Sequence, residues 1–156
     1  MSRPDPGAGA GEPVGAEDLS RHPGHLIRRA VQALNTIWAE EVSRTVTSPQ
    51  FAVLNALLGE PDIDQQTLGG RAALDRSTVA EIVARLTDRE LVRWTRDEAD
   101  GRRKVIQLTG RGEEVTRELI PRTRRMTARL VRALPPEDEA ELLRLLTLLL
   151  TAHESR

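Results

Sequence analysis

Between Pro23 and Val42 the apolar residues Ile27, Ala30, Val31, Leu34, Ile37, Trp38 and Val42 recur at steps of three and four, with Arg28, Gln32, Asn35 and Glu40 between them. That is the spacing of one helical face, and Pro23 suits a first turn because its missing N–H has no partner there in any case. A second helix is predicted from Ser48-Pro49, where Phe51, Val53, Leu54, Leu57 and Leu58 make a nearly continuous stripe that Gly59-Glu60-Pro61 stops. So dense a stripe belongs to a central, buried helix. Asp64 is placed to cap a short helix through Ala72 with Leu68 facing inward, and Asp75 to cap another that begins at Arg76. On a wheel of about 100° per residue, Val79, Ile82, Val83 and Leu86 share one side of that helix. Ser77, Ala80, Glu81, Ala84 and Asp88 lie opposite, flanked by Arg76, Thr78 and Arg85.

The period then changes. Leu91 to Arg96 alternates Val92 and Trp94 with Arg93 and Thr95, and Lys104 to Leu108 is rich in β-formers. Asp100-Gly101 marks a turn between them, so a β-hairpin is predicted directly after the second short helix. Helical periodicity returns from Glu113 to Leu134, where Pro121 is expected to interrupt it. Pro135-Pro136 separates that stretch from a last helix, Glu137 to His153, whose Leu142, Leu143, Leu145, Leu146, Leu148, Leu149 and Leu150 are apolar on almost every side. Two helices joined by a tight turn and followed by a charged hairpin form a winged helix-turn-helix pattern, a reader of duplex DNA. The fold class expected is mainly α with a small β-hairpin wing, an α+β arrangement. Residues 1–20, made of Gly, Ala, Pro and acid, are expected to be a disordered leader, with a single domain over 21–156.

Composition narrows the chemistry. The chain has 156 residues and no cysteine, which excludes a disulfide framework, a thiolate metal site and a thiol switch. His22, His25 and His153 lack metal-ligand spacing, and no nucleophile–base pair stands out, so neither an enzyme nor a metal site is expected. No run approaches the ~18 apolar residues of a spanning helix. With no apolar signal region either, the expected location is the cytoplasm and no membrane contact is expected.

The formal net charge of −1 argues against a generally basic surface. Yet Arg85 to Arg111 holds eight basic and five acidic residues, a local +3. Phosphates respond to this local density rather than to the net charge. The residues expected to meet DNA are Arg76, Ser77, Thr78, Glu81 and Arg85 on the exposed helix and Arg96, Arg102, Arg103 and Lys104 on the wing. Small side chains let the helix sink into a major groove, Arg76 or Arg85 suits guanine or phosphate, and Glu81 suits a cytosine amino group. Arg102 and Arg103 at the hairpin tip suit a minor groove. Asp97 and Asp100 are expected to tie down arginines within the loop.

Three stretches resemble the MarR family of transcriptional regulators. They are Leu74-Asp75-Arg76-Ser77-Thr78-Val79, the run Leu-Thr-Asp-Arg-Glu-Leu-Val from Leu86 to Val92, and Asp100-Gly101-Arg102 followed after five residues by Leu108-Thr109-Gly110-Arg111-Gly112. The last fits the family's Asp-x-Arg, five residues, Leu-Thr-x-x-Gly without a gap. One departure is Glu90, where the family carries a turn glycine. The resemblance spans about His25 to His153. It implies a homodimer with a DNA-binding lobe at about 48–112 and dimerisation helices at about 23–46 and 113–153. Its partner would be a pseudo-palindromic double-stranded operator, and its usual role repression relieved by a small ligand.

His22 to Arg29, Trp38 and the segment Ser48 to Leu57 look like members that control aromatic-acid catabolism. The resemblance therefore implies no cofactor but a small aromatic, phenolic carboxylate as effector, held in a crevice lined by the first helix, the Phe51 helix and the start of the long helix. Arg28 is the candidate for the carboxylate, His25 or Asn55 for a ring hydroxyl, and Trp38 for a flat wall. The alternative effectors are lipophilic drugs or stress compounds, as in multidrug or efflux control.

Overall fold

The structure is a computed structural model and describes residues 18–154. Its helices are α1 (Pro23–Glu41), α2 (Ser48–Gly59), α3 (Gln65–Ala72), α4 (Arg76–Asp88), α5 (Gly110–Val131) and α6 (Pro136–Glu154). A two-stranded antiparallel sheet, β1 (Val92–Arg96) and β2 (Lys104–Leu108), stands between α4 and α5. The mainly helical class with one small hairpin is as the sequence predicts.

Most of the expected leader, residues 1–17, lies outside the described residues. Asp18 accepts the Ser20 amide at 2.9 Å and starts a short turn, Leu19–Arg21, ahead of α1.

α2 is the axis of the core. Val53, Leu54 and Leu57 are buried on it, and α3, α4, α5 and β2 all pack around them. Thr47 and Gln50 close its N-terminus with a reciprocal capping box. Leu68 of α3, Val79, Val83 and Leu86 of α4, and Ile106 of β2 complete the centre. The register pairs Val92 with Leu108, Trp94 with Ile106 and Arg96 with Lys104. Ile63 adds one further bridge to Ile106, so the loop before α3 is sewn to the wing.

Both ends of the helix-turn-helix close in the same way. Ala73 (φ 53°) and Glu90 (φ 56°) sit in the left-handed region just past α3 and α4. In each case the following amide reaches back five residues, Leu74 to the Gly69 carbonyl and Leu91 to the Leu86 carbonyl, both at 2.9 Å. This is the Schellman closure, which normally takes glycine at that position. The departure at Glu90 therefore leaves the turn geometry intact and puts a side chain where the backbone disfavours one.

The long helix differs from expectation at three points. It starts at Gly110 rather than Glu113, because Thr109 is its N-cap and accepts the Gly112 amide at 2.9 Å. It ends at Val131 rather than Leu134. Pro121 does not interrupt it. The proline ring deprives the Arg117 carbonyl of its helical donor, but Pro121 and Arg117 are both exposed, so water can serve that carbonyl. Packing holds both halves in line, with Leu119 and Met126 buried and Arg129 paired to Glu40 and Glu41 of α1 at 2.8 and 2.6 Å. α6 is different again. Its leucines from Leu142 to Leu150 are all exposed.

Candidate nucleic-acid interface and ligand crevice

Asp75 organises the start of α4. Its carboxylate accepts the Ser77 and Thr78 amides and also both hydroxyls, Ser77 Oγ at 2.6 Å and Thr78 Oγ1 at 2.5 Å. The side-chain bonds from Ser77 and Thr78 hold that carboxyl well below the usual carboxylate range, with the Thr78 amide adding to them. With their protons turned inward, Ser77 and Thr78 can only accept hydrogen bonds from a partner, whereas the sequence treats them simply as small polar groups. Arg76, beside them, carries no ion pair among the described residues. Open clefts of about 600 and 560 Å³ flank this helix start, lined by Gln65, Gly69 and Leu74 on one side and by Asp75, Ser77 and Ala80 on the other, with Arg76 and Gln65 common to both. Farther along α4, Glu81 and Arg85 form an exposed pair at 3.8 Å. Such a pair is worth little in water, so either side chain is free to exchange its partner.

The wing arginines, alike in sequence, differ in three dimensions. Arg96 donates to the Gly101 carbonyl at 2.9 Å and closes the loop. Arg103 donates to the Asp64 carboxylate, the N-cap of α3, and lies 3.9 Å from Asp97. The Thr67 amide and the Arg103 guanidinium together lower Asp64 to about 2. Arg102 and Lys104 are exposed, and among the described residues neither carries an ion pair. Asp97 and Asp100 chiefly hold backbone: Asp97 accepts the Ala99 and Asp100 amides and Asp100 accepts the Arg102 amide. The expectation that they tie down arginines holds only for the long Asp97–Arg103 contact.

The four residues expected at the effector crevice are scattered along two helices. Arg28 and His25 meet, with Nη2 and Nδ1 3.2 Å apart on the exposed start of α1. Trp38 lies about 15 Å farther along the same helix. It is a core residue, 6% exposed, with its ring 5.7 Å from Phe51 and its Nε1–H donated to the Val46 carbonyl at 2.7 Å. It borders a cavity of about 490 Å³ between α1 and α2, lined also by Asn35, Ser43, Arg44, Val46 and Ser48. Neither Arg28 nor Asn55 lines that cavity, and Asn55 is exposed on α2. Arg44, which the sequence did not single out, lines the same cavity as Trp38; its polar loop gave no periodic signal.

The family model for the MarR family matches residues 44–103, from the loop before α2 through the wing loop. Over 139 residues the chain is 30% identical to the transcriptional repressor NicR of Pseudomonas putida, covering 88% of each. The chain belongs to the MarR family. As a MarR-family chain it is a ligand-responsive transcriptional regulator and not an enzyme. Among solved structures it resembles PcaV of Streptomyces coelicolor in complex with its natural ligand, at 45% identity and a TM-score of 0.82 over 89% of this chain and 99% of that one. It also resembles BpsR of Bordetella bronchiseptica, whose DNA binding is regulated by 6-hydroxynicotinic acid, at 29% identity and a TM-score of 0.79 over 86% and 97%. MarR-family regulators bind operator DNA and function as dimers. No helix among the described residues is long and apolar enough to cross a membrane.

Proposed function

We propose that this regulator is a homodimeric repressor that sits on a pseudo-palindromic operator and leaves it when a small aromatic carboxylate binds. The observation that carries the reading is the 45% identity, over nearly the whole of its length, to the ligand-bound regulator PcaV. BpsR supports the ligand class, since 6-hydroxynicotinic acid is a hydroxylated ring with a carboxylate. The cavity beside Trp38 sets Arg44, Asn35, Ser43 and Ser48 against Ala39, Val46 and Pro49, a mixed lining that suits a ring with one charged group. This favours the aromatic-acid reading over drug or stress sensing.

In this reading the start of α4 enters the major groove with Arg76, Ser77, Thr78, Glu81 and Arg85, while Arg102 and Arg103 at the hairpin tip meet a minor groove and Arg96 and Lys104 stand behind them on the wing. Two such helices about 34–36 Å apart span one turn of duplex. The dimer is held by α1, α5 and the leucines of α6. Arg28 takes the carboxylate and His25 or Asn55 a ring hydroxyl; Trp38, about 15 Å farther along α1, is too far to pack on the same small ring. A ligand can release DNA only by binding better to a lobe spacing that cannot span two successive grooves.

The test is fluorescence anisotropy on the intergenic DNA beside the regulator's own gene, with hydroxybenzoates, hydroxycinnamates and 6-hydroxynicotinate set against neutral lipophiles. The acids are expected to release the DNA and the lipophiles to leave it bound. Arg28→Ala is expected to bind DNA normally and to lose the response. Release by the neutral lipophiles alone would replace the ligand class. An unchanged response in Arg28→Ala would remove Arg28 from the site.

A further inference from the structure

A recess lies at the root of the wing, away from α1 and from the DNA-facing side of α4. Its floor is apolar and its rim largely polar. Leu57 and Leu108 form the buried part, and Leu58 and Pro61 stand nearer the mouth. Its polar side chains are Arg93 on β1, Gln107 on β2, and Glu113 and Arg117 on the first turns of α5. The volume is about 270 Å³. Ligand sites usually run from about 300 Å³ upward, so this one has room for a single ring and little more.

The arrangement around Arg93 points to the ligand. Nε and Nη2 of Arg93 both donate to Gln107 Oε1, at 3.1 and 2.9 Å, and the Gln107 amide nitrogen in turn donates to the Asp62 carboxylate. The guanidinium is thus fixed in direction by a neutral acceptor. Two of its five N–H groups are engaged by Gln107, and among the described residues no carboxylate pairs with it. Glu113, the acid of the rim, is paired with Arg117 Nη1 at 2.8 Å. The rim therefore carries Arg93 and the Glu113–Arg117 pair beside an apolar floor, with the Asp62 carboxylate one hydrogen bond behind Gln107 and the remaining Arg93 N–H groups open to a ligand. A fixed guanidinium of this kind is a good partner for a carboxylate, and a flat ring is what the leucine and proline walls would cover.

We propose that this recess binds a small monocyclic aryl carboxylate as a second ligand site. Arg93 receives the carboxylate, and Leu57, Leu58, Pro61 and Leu108 receive the ring. Arg28, Trp38 and Arg44 do not line the recess, so it is separate from the effector crevice proposed above and stands or falls independently of it. An occupant touches the end of α2, both wing strands and the start of α5 together, which makes it a wedge at the joint where the wing meets the long helix.

The probe is benzoate, titrated into the full chain while the methyl resonances of Leu57, Leu58 and Leu108 are followed by two-dimensional 1H–13C NMR. Benzamide and inorganic phosphate serve as comparison ligands. Benzoate is expected to shift these methyls in the wild type and equally in Arg28→Ala, whereas benzamide leaves them in place. Arg93→Met is expected to weaken the response by about tenfold or more, the loss of a charge-assisted hydrogen-bond pair, with an unchanged melting temperature. Methyls that stay still with benzoate, that shift as strongly with benzamide, or that respond normally in Arg93→Met would each overturn the proposal. A phosphate response at the Arg93 Nε–H with no benzoate response at the leucines would also overturn it, and would mark a plain anion site.

Discussion

At the last residue of the wing motif, Gly112, a Cβ would fall 1.9 Å from the Leu91 carbonyl oxygen and 2.9 Å from its carbon. The same carbonyl accepts the Thr109 amide at 3.0 Å, so it cannot move aside without opening the start of α5. Leu108 lies in the core, Thr109 caps α5, and Gly112 lets the helix pass the chain that leaves α4. The spacing of Leu-Thr-x-x-Gly is thereby the spacing of one helix start pressed on one turn. Gly112→Ala is expected to lose about 2–3 kcal/mol or more in chemical denaturation, since a backbone group has to give way. Glu90→Gly is expected to act the other way and stabilise by about 1 kcal/mol, by relieving a left-handed side-chain residue. Trp38→Phe is expected to cost about 1–3 kcal/mol, because the buried Val46 carbonyl loses its donor. The motif glycine was visible in the sequence, but its reason was not, because Leu91 is its neighbour only in space. The protons of Ser77 and Thr78 were hidden for a similar reason: the sequence shows a cap at Asp75 without showing that it takes both hydroxyls.

Elements were more legible than the ties between them. α2, α3, both strands and the start of α4 lie within a residue of their predicted limits, since each has an apolar period or a capping or stop signal of its own. Pro121 misled because a proline's local cost says nothing about packing on both sides of it. The tie between the wing and α3 was out of reach altogether, as Arg103 and Asp64 are far apart in the chain. That tie makes a pH prediction. Asp64 falls from its ordinary 3.8 to about 2 in the folded protein, so its contribution is present above 3.8 and disappears as the pH drops toward 2. In Asp64→Asn the acid limb of the stability profile is expected to lose part of its slope over that interval, measured by thermal melting across pH. Arg102 and Arg103 should separate as well. Arg102→Ala is expected to reduce the salt slope of DNA binding by up to about one, with the melting temperature unchanged. Arg103→Ala is expected to lower both.

Across the whole molecule, apolar surface is unevenly finished. The lobe built on α2 is closed, with Val53, Leu54, Leu68 and Leu86 fully buried, while Leu143, Leu148 and Leu150 of α6 are more than half exposed. A contiguous apolar surface of this kind marks an association site. A second subunit is the partner that the proposed dimer assigns to it. Leu145→Glu with Leu149→Glu is expected to give a monomer by analytical ultracentrifugation and to weaken operator binding strongly, because one recognition helix holds only half a site. A dimer that survives both substitutions would move the interface elsewhere. The effector site belongs to this scale too. Arg28 and Trp38 share a helix in the sequence yet stand three turns apart on it, so helical periodicity alone could not decide whether they face one ligand.

The chain has two tryptophans and no tyrosine, and the two differ sharply in their surroundings. Trp38 is shut in the core against Phe51, and Trp94 stands 43% exposed on the wing. Ultraviolet emission from this protein is therefore expected to have a blue, sheltered component at the α1–α2 junction and a red, quencher-accessible component on the wing. An unlabelled sample can report events at the two places separately, by colour and by collision with iodide.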